Sequence, residues 1–360
     1  MKLIGYIKEN QKTFLESDIN DIDVLAFAWM SYFDFSPLKE KLPLKIGRLK
    51  SDKFYLKDKA YETGFLIKTS KRFMKLVMNS NRFKDVELLD YQCVLDKGLS
   101  AQFCAVSFKV NDKIVVSFRG TDPNFIGWKE DFYLAFKESI SSYQLAKDYV
   151  LNIISEYQEN IILTGHSKGG NIASYVLADL EDDSRIIKSI SFDGPGFRDT
   201  TIFDEKLDRV VKIKKYIPHS SLVGVLFSNE TEVKIIKSGS ALALQHNPFE
   251  WEIKNNDFVY LDKRTITSRY LDKSINGWIE SLNEEEKERF TKIVFDYVDE
   301  FEAQDIRSFF KRLFKQVTPA FKAYKKLSKE DKKFFIYVMM KLAKNLARPP
   351  KDENKVKSLK

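Results

Sequence analysis

The stretch that most limits what this chain can fold into is Ile161-Ile162-Leu163-Thr164-Gly165-His166-Ser167-Lys168-Gly169-Gly170-Asn171. An apolar run enters Gly-x-Ser-x-Gly and leaves as a helix of small residues. In strand–turn–helix context this is a nucleophile elbow. The serine has to stand on a sharp, strained turn for its hydroxyl to project above the sheet edge. Gly165 and Gly169 leave room for the neighbouring strand and helix to approach that turn. The helix that follows points its positive end at the same spot, which suits a developing oxyanion. Ser167 is therefore the candidate nucleophile.

The surrounding pattern supplies a sheet for such an elbow. Residues 102–110 and 113–119 are rich in β-branched and aromatic side chains and flank the turn Asn111-Asp112, which reads as a hairpin. Residues 143–157 carry helical spacing, 160–164 read as a short buried strand, and 171–180 as a helix. Further short strands are expected at 188–192, 210–216 and 233–236. Strands alternating with helices give a mostly parallel central sheet flanked by helices, the α/β class. Upstream, residues 21–35 read as a helix opened by acids, and 69–79 have helical periodicity. The character changes near residue 265. From there to 346 the pattern is helical, with capping signals at Asn283/Glu286 and Ser328/Asp331. The expected organisation is a domain over 1–264, a helical C-terminal region over 265–348 and a frayed basic tail over 349–360, with Pro349-Pro350 ending the last helix.

Composition narrows the function. The 360 residues are 43% hydrophobic and 14% aromatic, enough for a sizeable core. A net charge of +8 spread over this length is not a nucleic-acid signature. It weakly favours an anionic surface. Cys93 and Cys104 lie in apolar stretches and read as two buried thiols rather than a disulfide. Charge enters the N-terminus too early for a signal-peptide core, and no uncharged run approaches the ~20 residues that cross a bilayer. The cytoplasm is the expected location.

An activated serine needs a base and an oxyanion pocket. The three histidines are His166, His219 and His246. His166 adjoins the nucleophile, and the elbow points it away. His246 comes late, after the last expected strands, as the order serine, acid, histidine requires. His219 is its competitor. Lys168, the residue after the nucleophile, offers one oxyanion amide. Thr121, in Arg119-Gly120-Thr121-Asp122 after an earlier strand, offers the other and has a hydroxyl to add.

Taken together, these residues resemble a known pattern. Phe118-Arg119-Gly120-Thr121, Trp128 and Asp131, Gly165 to Asn171, and Phe192-Asp193-Gly194-Pro195-Gly196 follow the order of class 3 lipase motifs. The chain is also similar to a bacterial group of lipase-related, Mbeg-like proteins. The similarity lies in Ser31-Tyr32-Phe33-Asp34-Phe35, in Gln245 to Trp251, in the lysine after the nucleophile and in the helical C-terminus. It spans roughly residues 20–300 and implies an α/β-hydrolase fold acting on a lipid or another ester. One departure concerns the acid. Class 3 lipases carry it in Asp-x-Val-Pro, where this chain reads Ser221-Leu222-Val223-Gly224. Asp193, one strand after the elbow, is the substitute. A Ser–His dyad helped by Ser221 or water is the alternative.

The expected chemistry is acyl transfer by Ser167, His246 and Asp193, with Thr121 and Lys168 holding the oxyanion. It requires no metal or organic cofactor. The expected partners are an ester or lipid substrate and, through the basic C-terminal helices, an anionic membrane surface, with no nucleic acid. The rival reading is an inactive hydrolase scaffold that binds or regulates.

Overall fold

The strands lie side by side in the order in which the chain makes them. The computed structural model describes residues 1–51, 60, 66–180, 184–204, 207–229, 231–240, 242–299 and 325–347. Its eight-stranded sheet comprises β1 (Leu44–Lys45), β2 (Glu87–Asp96), β3 (Ala101–Val110), β4 (Lys113–Phe118), β5 (Asn160–His166), β6 (Ile186–Phe192), β7 (Ile213–Pro218) and β8 (Val233–Ile236). Neighbours from β1 to β4 are antiparallel, and those from β4 to β8 are parallel. The switch follows from connection length. Asn111, at φ 53°, turns β3 straight back into β4. From β4 to β7 each connection carries helix, as a parallel return commonly requires, and the described residues between β7 and β8 form a loop. These helices are α4 (Phe125–Tyr133) and α5 (Ser141–Glu156), then α6 (Lys168–Asp179), then α7 (Thr201–Asp204) and α8 (Leu207–Val210). The strand expected from residue 210 begins at Ile213, because Val210 still belongs to α8 and residues 211–212 turn the chain into the sheet.

The sheet is covered on both faces, and the strands divide their side chains accordingly. Ile114, Val116, Ile161 and Leu163 enter the core under α5 and α6. Val115 and Ile162 point the other way, as the two-residue period of a strand dictates. There they meet α1 (Leu3–Glu9), α2 (Asp21–Met30) and α3 (Ile67–Asn79). The helix expected over 21–35 stops at Met30. Part of the stretch between residues 50 and 90 (52–59 and 61–65) lies outside the described residues.

Asn20 opens α2 with a capping box closed by Asp23. Asp23 is fully buried, and its carboxylate also receives the Arg82 guanidinium (Nε to Oδ1, 2.7 Å) and the Tyr6 hydroxyl (2.8 Å). The remaining Arg82 donors reach the Lys12 and Asp18 carbonyls. This pair joins α1, α2 and the turn after α3.

The cysteine expectation is corrected. Cys93 on β2 and Cys104 on β3 are directly paired across the antiparallel ladder, and a disulfide joins them. Facing positions put both side chains on the same face of the sheet. Cys104 is buried, whereas Cys93 is exposed, because this half of β2 extends beyond its pairing with the short β1.

Beyond a small hairpin of β9 (Ile253–Lys254) and β10 (Asp257–Phe258), the described chain is helical: α9 (Ile266–Glu280), α10 (Glu284–Asp299) and α11 (Lys329–Leu346). Both expected caps form. Asn283 and Glu286 exchange side-chain-to-backbone bonds, and Ser328 accepts from the Asp331 amide. The Trp278 indole donates to the Val338 carbonyl (3.2 Å), fastening α9 to α11. The tail expected over 349–360 lies outside the described residues.

Arg82→Met strands the Asp23 carboxylate without its cation. The expected cost is about 3–5 kcal/mol, read as a lower urea midpoint at unchanged slope. A loss below ~1 kcal/mol would show that the pair contributes little.

Candidate active site

Ser167 occupies the turn between β5 and α6 with φ 58° and ψ −133°. A non-glycine residue holds such a backbone only where its surroundings enforce it. The enforcement comes from close approach. A Cβ on Gly165 would stand 2.2 Å from the Gly169 carbonyl carbon, and one on Gly169 would stand 2.1 Å from the Phe118 carbonyl oxygen. The Ser167 amide donates to Phe192 O on β6 (3.0 Å). Two neighbouring strands and the following helix thus pin the turn.

The loop after β4 is anchored from below. Arg119 is buried and donates to the Ser31 carbonyl (2.7 Å), the Phe33 carbonyl (3.1 Å) and the Tyr91 hydroxyl (3.1 Å). Thr121 Oγ1 lies 2.8 and 2.7 Å from the two Asp131 oxygens. Its proton is thereby committed to the carboxylate, which leaves the backbone N–H as the donor Thr121 has to offer. Lys168 heads α6 and sends its side chain inward. Its ammonium donates to Glu130 (2.6 Å), to the Gln102 carbonyl (2.9 Å) and to Gln102 Oε1 (3.1 Å). Glu130 in turn accepts from Ser142 N (3.0 Å) and Ser142 Oγ (2.8 Å). Adjacent carboxylates on α4 therefore hold the side chains of both candidate oxyanion residues.

His246 ends a short 3-10 turn, Leu242–His246. Its Nδ1 is 2.7 Å from Asp193 Oδ2, so Nε2 is the nitrogen left to act as base. Asp193 is fully buried. Its other oxygen accepts from Ser221 Oγ (2.6 Å) and the Gly224 amide (3.1 Å). Ser221 and Gly224, in the loop after β7, thus orient the Asp193 carboxylate just past the end of the adjacent β6. His219 is engaged elsewhere: Nδ1 accepts from Ser238 N (3.3 Å), and Nε2 lies 3.3 Å from the Gln245 amide nitrogen.

His166 points away from the serine, as expected, and holds the base loop. Its Nε2 is 2.8 Å from the His246 carbonyl, and its Nδ1 is 3.0 Å from the Tyr32 hydroxyl. Burial, reinforced by the nearby His246 ring, pushes its pKa well below the usual histidine value. Neutral His166 then donates from Nε2 and accepts at Nδ1 from Tyr32, a tautomer assigned from these partners. The first two residues brace the segment that follows this loop. The Met1 amine donates to Ile253 O (2.8 Å), and Lys2 pairs with Glu250 (2.6 Å).

Thr121, Ser167, Lys168 and His246 open together onto a cavity of about 410 Å³. Its walls are apolar apart from those four, Asp131, Lys287 and Thr291, and they come from α4 and the turn after it, from the loops after β6 and β7, and from α9 and α10. Each polar residue of the cavity floor carries a sequence signal, whereas Glu130 and Gln102, which hold the Lys168 ammonium behind it, were not expected. A signal for Glu130 existed, since a lysine at a buried helix start requires a carboxylate partner. The cavity roof had no comparable signal.

A strained serine between a central parallel strand and its helix, with a histidine–carboxylate pair beyond the following strands, defines a lipase-like α/β-hydrolase fold. The chain belongs to the Mbeg1-like family, whose model matches residues 77–296. Among solved structures it is similar to lipase II from Rhizopus niveus, at 17% identity over 47% of this chain and 71% of that one, with a TM-score of 0.36. It is also similar to M37 lipase, at 18% identity over 58% and 70% of the respective chains, with a TM-score of 0.38. No curated protein matches it.

Burial lifts the Asp131 pKa from 3.8 to about 6, against the opposing pull of Lys168 and Thr121. The folded state therefore binds more protons than the unfolded chain between these values, and stability falls as pH rises through that window. Asp131→Asn removes the penalty. It should stabilise by about 1–2 kcal/mol at pH 8, after discounting for the cavity-facing side of the group, and by nothing measurable at pH 4. Thermal unfolding of both proteins at the two pH values checks this. Equal gains at both would mean that the carboxyl titrates normally.

Proposed function

We propose that this protein is a serine hydrolase that cleaves carboxylic esters, lipid esters in particular, through an acyl-enzyme. The observation that carries the reading is the 2.7 Å contact of His246 Nδ1 with the buried Asp193, in a residue that shares one cavity with the strained Ser167. His246 Nε2 takes the Ser167 proton, and the serine oxygen attacks the ester carbonyl. The Thr121 and Lys168 amides, at the positive end of α6, hold the oxyanion. His246 then protonates the leaving alcohol. Water repeats the sequence and releases the acid. Asp193 keeps the imidazole in the required tautomer and offsets its charge.

The test is labelling of the purified protein by a fluorophosphonate, with hydrolysis of a soluble ester followed alongside. Ser167→Ala should abolish labelling. His246→Ala and Asp193→Asn should each slow ester hydrolysis by about 10⁴-fold. Full activity in Asp193→Asn would move the reading to a Ser–His dyad, and a folded wild type that never labels would remove it.

A peripheral membrane contact is proposed for α11. Among the described residues no helix is long and apolar enough to cross a membrane. On α11, Met340 is 66% and Ile336 49% exposed, on a helix that also carries Lys333, Lys341 and Lys344. Apolar side chains flanked by lysines suit an anionic interface. The protein should sediment with vesicles containing anionic lipid, and Ile336→Asp with Met340→Asp should release it. Equal binding to zwitterionic vesicles would argue against the electrostatic part.

A further inference from the structure

We infer that the acyl chain of the substrate lies in the cavity between α4 and the C-terminal helices, and that α9 and α10 set the chain length accepted. This rests on the hydrolase reading and goes beyond it, because it assigns an occupant to a chamber built largely outside the elbow, base and oxyanion loop. The floor is polar and reactive, with Ser167 and His246 facing the space. The wall is apolar: Trp128 and Phe132 from α4, Ile275, Trp278 and Ile279 from α9, and Phe290 from α10.

The space over Ser167 and His246 is a partly enclosed cleft of about 410 Å³. The size is that of a ligand pocket, and so is the pattern of apolar walls converging on a few polar groups. The gap persists although bulky side chains surround it, because those side chains are held by other contacts. Trp278 is fastened through its indole N–H to Val338 O and packs edge-on to Phe290 (5.7 Å between ring centres). Phe132 meets Phe295 in the same way (5.4 Å). The roof is braced from behind rather than collapsed onto the serine.

The order of bond making decides which half of the ester belongs there. The leaving alcohol departs after the first half-reaction, and water must then reach the carbonyl. The acyl group alone stays bonded to Ser167 through both steps. A partly enclosed apolar chamber suits the part that stays, and the alcohol faces the side by which water enters. Each methylene added to the acyl chain buries more apolar surface, so kcat/KM should climb by up to roughly fourfold per methylene until the chamber is full.

The experiment uses the full chain and two series of p-nitrophenyl and alkyl esters. One varies the acyl group from acetyl to dodecanoyl, and the other varies the alcohol with the acyl group fixed. The wild type is first labelled by a fluorophosphonate. Ile275→Trp and Ile279→Trp fill the chamber, and Trp278→Ala enlarges it. Circular dichroism and thermal unfolding confirm that each variant is folded. The expected result is a wild-type optimum at intermediate acyl length. The filling variants should lower the dodecanoyl-to-butanoyl ratio of kcat/KM at least tenfold, and Trp278→Ala should move the optimum to longer chains. If Trp278→Ala does not fold, the two filling variants decide alone. A labelled wild type with a flat acyl profile, or with an optimum that no variant moves, overturns the chamber assignment and leaves the hydrolase reading standing. A response confined to the alcohol series overturns it as well. No labelling of the wild type removes the hydrolase reading, and this inference falls with it.

Discussion

Three backbones meet at the elbow with no room for a side chain between them, and the remainder of the site is arranged around that contact. β5 reaches Gly165, α6 starts over Gly169, and β4 ends with its Phe118 carbonyl against the same helix. Because these segments touch main chain to main chain, the serine cannot relax from its strained backbone and the loop carrying Thr121 cannot drift from it. Arg119 applies the same constraint from beneath. Its guanidinium takes carbonyls at the end of α2, so the helix that covers the sheet also fixes the loop beside the serine.

Around this rigid centre the polar groups form two separate systems. One is held by α4, whose Glu130 and Asp131 are neighbours in sequence with different work. Glu130 neutralises Lys168 in a buried pair whose donors and acceptors are closely matched. Such a pair adds little net stability, but losing either partner would leave a bare charge inside the protein. Asp131 accepts from the Thr121 hydroxyl, and burial raises its pKa to about 6. The other system runs from Tyr32 through His166 to the His246 carbonyl and fixes the loop independently of the His246 ring. The ring itself answers to Asp193.

How much of this the sequence announced depends on the range of the interaction. The strands from β3 to β6 and the helices α5 and α6 follow from short-range periodicity, and the structure places them within a few residues of the expected bounds. β8 has the expected bounds, Val233–Ile236. The elbow was legible because its glycines are adjacent to its serine. His246 and Asp193 were legible through their order along the chain, and the 2.7 Å contact joins residues 53 positions apart. Contacts with no local pattern were not legible. The disulfide depends on the register between two strands, which sequence spacing alone does not fix. The partnership of Lys168 with Glu130 depends on where α4 lands. The roof over the cavity depends on helices whose amphipathic pattern says only that one face is covered, not by what.

The cavity is assembled from parts of the chain that come into existence at different times. All the residues of its polar floor precede position 247, while α9 and α10 supply roof residues between positions 275 and 291. Synthesis runs from the N-terminus, and domains begin to fold as they emerge. The sheet, the elbow and the His246–Asp193 pair can form while the roof is still unmade. A nascent chain halted before α9 therefore has its floor open to solvent, with the apolar face of α4 uncovered and prone to associate with other chains. Docking of the last helices both hides that surface and gives the cavity its shape, so covering the apolar face of α4 and defining the cavity are the same event.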